Sequence, residues 1–534
     1  MRNFYIMIAA FIFPLTVGAQ SFIRQFSVNK SLNYSSIARS GATELGYAAQ
    51  ATTEENISSV MIAKFNRLLY PEWVNFYTDS VNTPGTDLRQ QITACRNGGF
   101  AVAFTPETRD GSVYILKTDS QGNILWNRKY NLSSGNQGTF LMETPEGNIL
   151  VVGNRRADFV VSAAVLSVNG ANGRVQWFKT LTIPGQNAIV GAIAPASDSG
   201  FVIGGSGAGN ITFIARYNKL GDMLWTRTYQ SPAQGNYLYQ DIKSITQTKD
   251  GGFAYTGLAP SSIAGNGYDL TLVKLARNGS LQWASQTGTS GEDAGFSIQQ
   301  NDDLTYSVTG TFTSVNTWLI KFNKTGDASI FQRVLNAGFL AFPTTVEDNK
   351  GRHIMSGTFY TGLFLQPHGF LATIESDGTA CGGYLAHRPI TALNIAPFRS
   401  VVVEQDVTGE ATADTAYFKK TTPALFSTLF CSQDPSSKQM ASATATMQAH
   451  ASLKAEVLAN PVRTTMQLKL SGGNASTNWL ITVSDMHGRT MLNQKVEGPY
   501  ANQQINVSGW ASGLYIVNVV SANWRASIKV MVIR

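Results

Sequence analysis

The residues that could do chemistry are few and scattered. The five histidines, His353, His368, His387, His450 and His487, are spread over the last third of the chain. Zinc needs three or four His, Cys or carboxylate ligands at characteristic spacing, so no metal site is expected. The stretch GGSGAG at 204–209 comes nearest to a nucleophile elbow, but Ala208 stands where G-x-S-x-G requires its second glycine. The neighbouring acids Glu292–Asp293 and Asp302–Asp303 have the residue types of a general acid and base. Consecutive strand residues point to opposite faces, so solvated loop positions are the plainer reading. No phosphate-cradling glycine loop, HExxH pair or calcium loop is present, and no cofactor is expected. Of the three cysteines, Cys381 and Cys431 bracket a long stretch and suit a structural disulfide if the chain is exported, with Cys95 left over.

The elements that would position such groups are repeats. DSQGNILWNRKY (119–130), NKLGDMLWTRTY (218–229) and ARNGSLQWASQT (276–287) each read as a glycine turn followed by a strand carrying tryptophan. The aromatic recurs every 48 to 58 residues as Trp73, Trp126, Trp177, Trp225, Trp283 and Phe331, with Cys381 at the seventh place. Ahead of each lie two strands joined by a turn, as in YQDIKSITQTKDGGFAYTGLA (239–259), then an apolar strand such as LTLVKLA (270–276). Seven units of four short strands, each buried on both faces, predict a seven-bladed β-propeller. The aromatics are expected to be pegs packing blade on blade rather than a ring of ligand-stacking groups, since replacement by Phe331 and Cys381 fits packing better than a row that needs a flat ring each time. Lys64, Lys117, Arg216 and Lys274 precede a peg by nine residues and Lys321 by ten, which leaves two expectations, cations lying on the peg rings or plain solvated charges on the rim.

A ligand site on such a scaffold would sit on the loops between second and third strands. Arg109, Arg155, Arg156, Tyr268 and Asp269 fall there, and mixed Arg, Tyr and acid suits a glycan or peptide.

The turn-and-Trp pattern resembles the tryptophan-docking repeat of quinoprotein-type propellers, most closely in NGANGRVQW (169–177), although those enzymes usually have eight blades. It is more similar to the propeller repeats of secreted bacterial surface proteins. Asp79–Ser80–Val81 and Asp414–Thr415–Ala416 resemble the O-glycosylation sites of such bacteria.

The two ends of the chain speak of export. MRNFYIMIAAFIFPLTVGAQ has a positive start at Arg2, an apolar run and small residues, which predicts a signal peptide removed after Ala19. No later run is long enough to span a membrane as a helix, so no transmembrane segment is expected in the mature protein. The formal charge of +7 is concentrated in residues 451–534, which hold eight basic residues against three acids, leaving the body nearly neutral. A nucleic-acid partner is therefore not expected.

Beyond a Ser/Ala/Thr-rich stretch at 432–450, alternating strands and turns predict an Ig-like sandwich over 451–534. Asn460–Pro461, Asp485-x-x-Gly488–Arg489, Gly513–Leu514–Tyr515 and a terminal strand with Lys529 stand in order there. These landmarks resemble the type A C-terminal sorting domain of the type IX secretion system. The resemblance implies type IX secretion machinery as partner, passage across the outer membrane, and a passenger released or held at the surface of a Gram-negative bacterium.

The sequence thus predicts an all-β chain in five parts. They are a signal peptide (1–19), a seven-bladed propeller (20–390), a propeller-closing or accessory β segment (391–431), a linker (432–450) and a sorting sandwich (451–534). Its expected work is non-catalytic binding or display. The alternative is a secreted hydrolase or quinoprotein-like enzyme on the same scaffold.

Overall fold

The computed structural model describes residues 22–432 and 454–533, apart from short connecting stretches, the longest being 80–90, 105–111, 132–139, 232–239 and 336–343. The expected signal peptide, Arg109 and most of the Ser/Ala/Thr-rich stretch lie outside the described residues. The chain divides into two compact units, Met1–Ser437 and Lys438–Arg534.

The first unit is an all-β, seven-bladed propeller. Blade 5 shows the pattern: Asp241–Gln247, Phe253–Pro260, Tyr268–Leu275 and Leu281–Thr287 pair antiparallel in order. Blades 1 to 4 and 6 repeat it over 31–79, 91–131, 140–182, 188–230 and 294–335. The second and third strands are buried on both faces because each blade is covered by two neighbours, which is why their sequences run apolar without alternating. Hydrophobic clusters lie in the seams between blades, for example Val202, Ile214, Tyr255 and Val273 between blades 4 and 5. Ile354 and Leu371 of blade 7 share a core with Ile37, Tyr47 and Phe65 of blade 1, closing the ring.

Each peg aromatic lands on the glycine turn of the following blade. Trp73 packs on Gly122, Trp126 on Gly173, Trp177 on Gly221, Trp225 on Gly279, Trp283 on Gly326 and Phe331 on Gly378. At Gly173 the backbone is left-handed, with φ +71°, and a side-chain carbon there would come 2.8 Å from Trp126 Cε3. The glycine therefore serves both the turn and the docking. Trp126 Nε1 donates to the Gly170 carbonyl at 2.9 Å, as Trp73 Nε1 does to Ser120 O at 3.0 Å. At the seam between blades 7 and 1 the turn holds Leu69 instead, left-handed at φ +58° and itself buried in the core.

Blade 7 departs from the expectation of four consecutive strands. Thr344–Glu347, His353–Thr361 and Gln366–Ile374 are its first three strands, and the fourth is Phe22–Ser27 from the start of the body. The fourth-strand place expected for a peg strand at 381 is thus taken by Phe22–Ser27. After a single bridge between Ile374 and Ala380 the chain next pairs with blade 6. Cys381 and the Cys431 side chain lie outside the described residues, so the expected disulfide does too; Cys95 is free and buried.

Residues 384–432 then travel around the outside of the ring. Tyr384–Leu385 adds a fifth strand to blade 6, Thr391–Ala392 to blade 5 and Ala396–Phe398 to blade 4. Val403–Asp406 adds to blade 3, Ala413–Thr415 to blade 2, Phe418–Thr421 to blade 1 and Phe426–Ser432 to blade 7. The segment expected over 391–431 as a closing or accessory element is thus a strap that visits every blade in reverse order and begins at 384.

The cations expected on the peg rings are directly opposite them across the strand pair, as Lys117 is to Trp126 and Lys274 to Trp283. Their charged ends turn to carboxylates instead. Lys117 Nζ lies 3.0 Å from Glu143 Oε1, Lys274 Nζ 2.8 Å from Asp250 Oδ2 and Lys321 Nζ 3.1 Å from Asp303 Oδ2, while Arg216 pairs with Asp198. These cations are buried, and a buried charge gains more from an opposite charge than from a ring face. Ring contacts to the pegs come from residues two positions after them, Lys179 on Trp177 at 5.7 Å and Arg227 on Trp225 at 5.5 Å, while Arg216 lies over Phe253 of the next blade at 5.9 Å.

The second unit is a small sandwich. Lys454–Val457, Thr465–Ser471 and Ala501–Asn506 form one sheet. Thr490–Glu497, Asn478–Asp485, Gly513–Ser521 and Trp524–Val532 form the other. Trp479, Ile481, Val483, Val517 and Val530 fill the space between them.

Candidate functional site

Of the loop residues expected to meet a ligand, Tyr268 and Asp269 come together with Asp293 at one corner of blades 5 and 6. Tyr268 opens the third strand of blade 5, and its carbonyl accepts a hydrogen bond from Asp293 N at 2.8 Å. Asp269 is 3% exposed and Asp293 1%. Ser261 Oγ donates to Asp269 Oδ2 at 2.8 Å, and Thr289 Oγ1 donates to Asp293 Oδ2 at 2.9 Å. Burial first, then the Asp293 charge, raises the Asp269 carboxyl to about 6, against the hydrogen bond from Ser261. Gly288 is wedged against both carboxylates. A side-chain carbon there would fall on Asp269 Oδ1 and 2.7 Å from Asp293 Oδ2.

This corner has the residue types of an acid–base pair, but the oxygens face a backbone rather than an opening. Its chemistry is that of a packed polar joint tying the loop at 288–293 to the blade. Ser261, Gly288 and Thr289 escaped the sequence reading, because nothing local marks a serine eight residues upstream as a carboxylate's partner. Glu292 is exposed as expected of a loop acid, but Asp293, just ahead of the strand that starts at Ala294, is buried rather than solvated, because it holds Thr289. Asp302 is exposed and pairs with Lys249 at 2.9 Å, whereas Asp303 holds Lys321.

Arg155 and Arg156 close the second strand of blade 3 far from this corner in sequence. Arg155 pairs with Glu410 of the strap, and Arg156 is exposed. The structure therefore groups Tyr268 with Asp269 and sets Arg155 to a structural partner. Among the described residues no three His, Cys, Asp or Glu side chains gather as metal ligands, and no helix is long and apolar enough to cross a membrane.

In the second unit the motif landmarks gather at one end of the sandwich. Asp485 and Tyr515 are direct partners on neighbouring strands, and Tyr515 is in turn opposite Val530. Gly513 faces Val532, and Val462, next to Pro461, is bridged to Val532 as well. Lys529 is opposite Ile516. Asn460 and Gly488 lie outside the described residues.

The Asp485–Arg489 turn is a closed device. Arg489 N donates to Asp485 Oδ1 at 3.0 Å, Arg489 Nε donates to Oδ2 at 2.7 Å, and Asp485 N donates back to Arg489 O at 3.0 Å. Blade 7 builds the same turn from the same D-x-x-G-R pattern, with Arg352 N and Nε each 3.0 Å from the Asp348 carboxylate. The pattern is thus a turn-forming solution in its own right. What differs is exposure, since the Arg489 side chain is 76% exposed and that of Arg352 16%. Tyr515 turns inward, donates from Oη to Ala511 O at 2.9 Å and packs on Trp510, while Leu514 and Ile516 face the other way, half-buried.

Residues 457–534 match the family described as the secretion system C-terminal sorting domain. No curated protein matches the chain in sequence. Solved structures similar to it include the polysaccharide lyase Uly1, at 8% identity and TM-score 0.43 over 66% of this chain and 99% of that one. A protein of unknown function from Dyadobacter fermentans DSM 18053 matches at 13% identity and TM-score 0.38, over 65% of this chain and 97% of that one. AofleA from Arthrobotrys oligospora matches at 10% identity and TM-score 0.28, over 71% and 92%.

Proposed function

From the premise that residues 457–534 are a secretion-system sorting domain, through which the chain is exported, we propose that the propeller is a non-catalytic passenger that binds or displays at the outer surface of a Gram-negative cell. The observation that carries this reading is the gathering of Asp485, Gly513, Tyr515 and Val462 at one end of the sandwich. That end presents the Arg489 guanidinium to solvent and is the surface offered to the type IX export machinery. The body supports a binding role in its own way. Its strongest acid pair, Asp269 with Asp293, is enclosed against Gly288 instead of facing a cleft, so the propeller supplies a rigid ring whose outward loops carry the ligand contacts. Glycans or peptides are the ligand classes suited to exposed arginine such as Arg156 and to half-buried Tyr268.

Removing residues 457–534 tests the export arm: the body is expected to stay inside the outer membrane, and its appearance outside the cell would refute the sorting role. Glycan and peptide arrays probed with the purified body test the binding arm. Turnover of a polysaccharide by that body would replace binding with the hydrolase alternative.

A further inference from the structure

The segment 384–432 does more than cap seven sheet edges. Between its strands it lowers apolar side chains into the seams between blades. Leu393 and Ile395 enter the seam of blades 4 and 5, Val402 that of blades 3 and 4, and Val407 that of blades 2 and 3. Phe418 enters between blades 1 and 2, edge-on to Phe104 and Tyr114 with ring centroids 5.5 and 6.0 Å away. The strap thus staples neighbouring blades together, and a force separating two blades must also extract a strap side chain.

Its grip is uneven. On blades 6 and 5 it makes two register pairs each, whereas Phe426–Ser432 follows Phe22–Ser27 through six. That last station meets the part of the ring assembled from the most distant pieces of chain. Phe22–Ser27 is held on one side by Gln366–Ile374 and on the other by the strap, so the first and last strands of the body touch, with Phe22 opposite Ser432. Contacts of the strap bridge 230 residues at Phe178 to Thr408 and 297 at Asn123 to Lys420. Contacts this far apart in sequence are reached only after the intervening blades are compact, because closing the loop costs entropy before the contact rewards it.

We infer that the strap is a ring lock. Seating Phe426–Ser432 against Phe22–Ser27 is the closing event of folding, and the propeller opens only once that six-pair station has been peeled. The strap completes the body only when residue 432 is available, immediately ahead of the unit that begins at Lys438. The exported passenger is then held by a slow unfolding rate, which is the quantity that governs survival where unfolding is irreversible.

Urea-jump kinetics on the full mature chain test this with two variants. Gln25→Cys with Thr428→Cys, made in a Cys431→Ser background, joins two residues that are direct strand partners. Its oxidation is expected to slow unfolding at least about tenfold and its reduction to restore the original rate. Phe418→Ala is expected to speed unfolding about tenfold while leaving refolding within about twofold, the pattern of a contact absent from the transition state. An unfolding rate indifferent to the crosslink, thiols that fail to join, or a Phe418→Ala effect falling on refolding would each overturn the lock.

Discussion

The Trp126 indole covers Gly173, a glycine 47 residues ahead in the chain and one blade further round the ring. The same blade closes its grip with Tyr130, whose hydroxyl donates to the Gly173 carbonyl at 2.5 Å. The glycine and tryptophan that lie close together in each sequence repeat therefore never serve one another. The glycine turns of blades 2 to 6 each receive the peg tryptophan of the blade before, and that of blade 7 receives Phe331.

Adding a methyl group at that turn separates docking from backbone strain. Gly173→Ala is expected to cost about 2–4 kcal/mol, combining the left-handed φ with overpacking against Trp126. Gly185→Ala, at φ +72° but with open space around it, should cost only about 1 kcal/mol. Urea midpoints of the two variants measure the difference, and equal losses would mean that the indole contributes nothing at the turn.

Lys117 and Glu143 form an ion pair whose side chains are 7% and 6% exposed. Lys117→Ala leaves the carboxylate buried without its cation and should cost about 3–5 kcal/mol. Combining Lys117→Met with Glu143→Leu should recover most of that loss, because two apolar groups need no counter-charge. Thermal unfolding of the single and double variants checks the prediction, which fails if the double variant is as unstable as the single.

Asp269 makes the body less stable as pH rises. Its carboxyl is raised from 3.8 to about 6 in the folded chain, so the folded state holds the proton more tightly than the unfolded one. The stabilisation is complete below about pH 4 and lost as pH rises through about 6. Asp269→Asn cannot ionise and should gain about 2–3 kcal/mol over the wild type at pH 7–8, with little difference at pH 4. A wild-type minus variant stability difference that stays flat between pH 4 and 7 would contradict this.

Asp485→Ala removes the carboxylate that closes the sorting-unit turn while leaving Tyr515 in the core. Two charge-assisted hydrogen bonds go with it, at about 1–2 kcal/mol each after allowance for the exposed guanidinium. Export is expected to fall severalfold. Arg489→Ala keeps the carboxylate and loses the exposed cation, so a larger export defect with a smaller stability loss would identify that cation as the contact with the machinery. Fractionation of cells and the melting temperature of the isolated mature protein read the two effects separately.

Much of this architecture was legible in the chain. Strand runs such as LTLVKLA, bounded by glycine turns and recurring at a steady period, imply blades, because turn chemistry and two-sided burial act over fewer than a dozen residues. The Trp73 to Phe331 series marks the seams for the same reason, and Tyr515 and Val517, two residues apart on one strand, share its buried face as simple alternation requires. The cations at Lys117, Arg216, Lys274 and Lys321 were visible as a regularity, but their partners were not. Glu143 lies 26 residues from Lys117 and Asp250 24 from Lys274, and no local rule chooses between a ring and a carboxylate at such distances.

The all-β class, the number of blades and the sorting unit at the end are all written in local pattern. That Phe22–Ser27 completes blade 7, that residues 384–432 circle the ring, and that Asp269 is enclosed with Asp293 follow from contacts between distant parts of the chain. Strap strands as short as Tyr384–Leu385 and Thr391–Ala392 are too brief to carry a period. Their conformation is set by the open sheet edges they meet, and those edges exist only once the blades have folded.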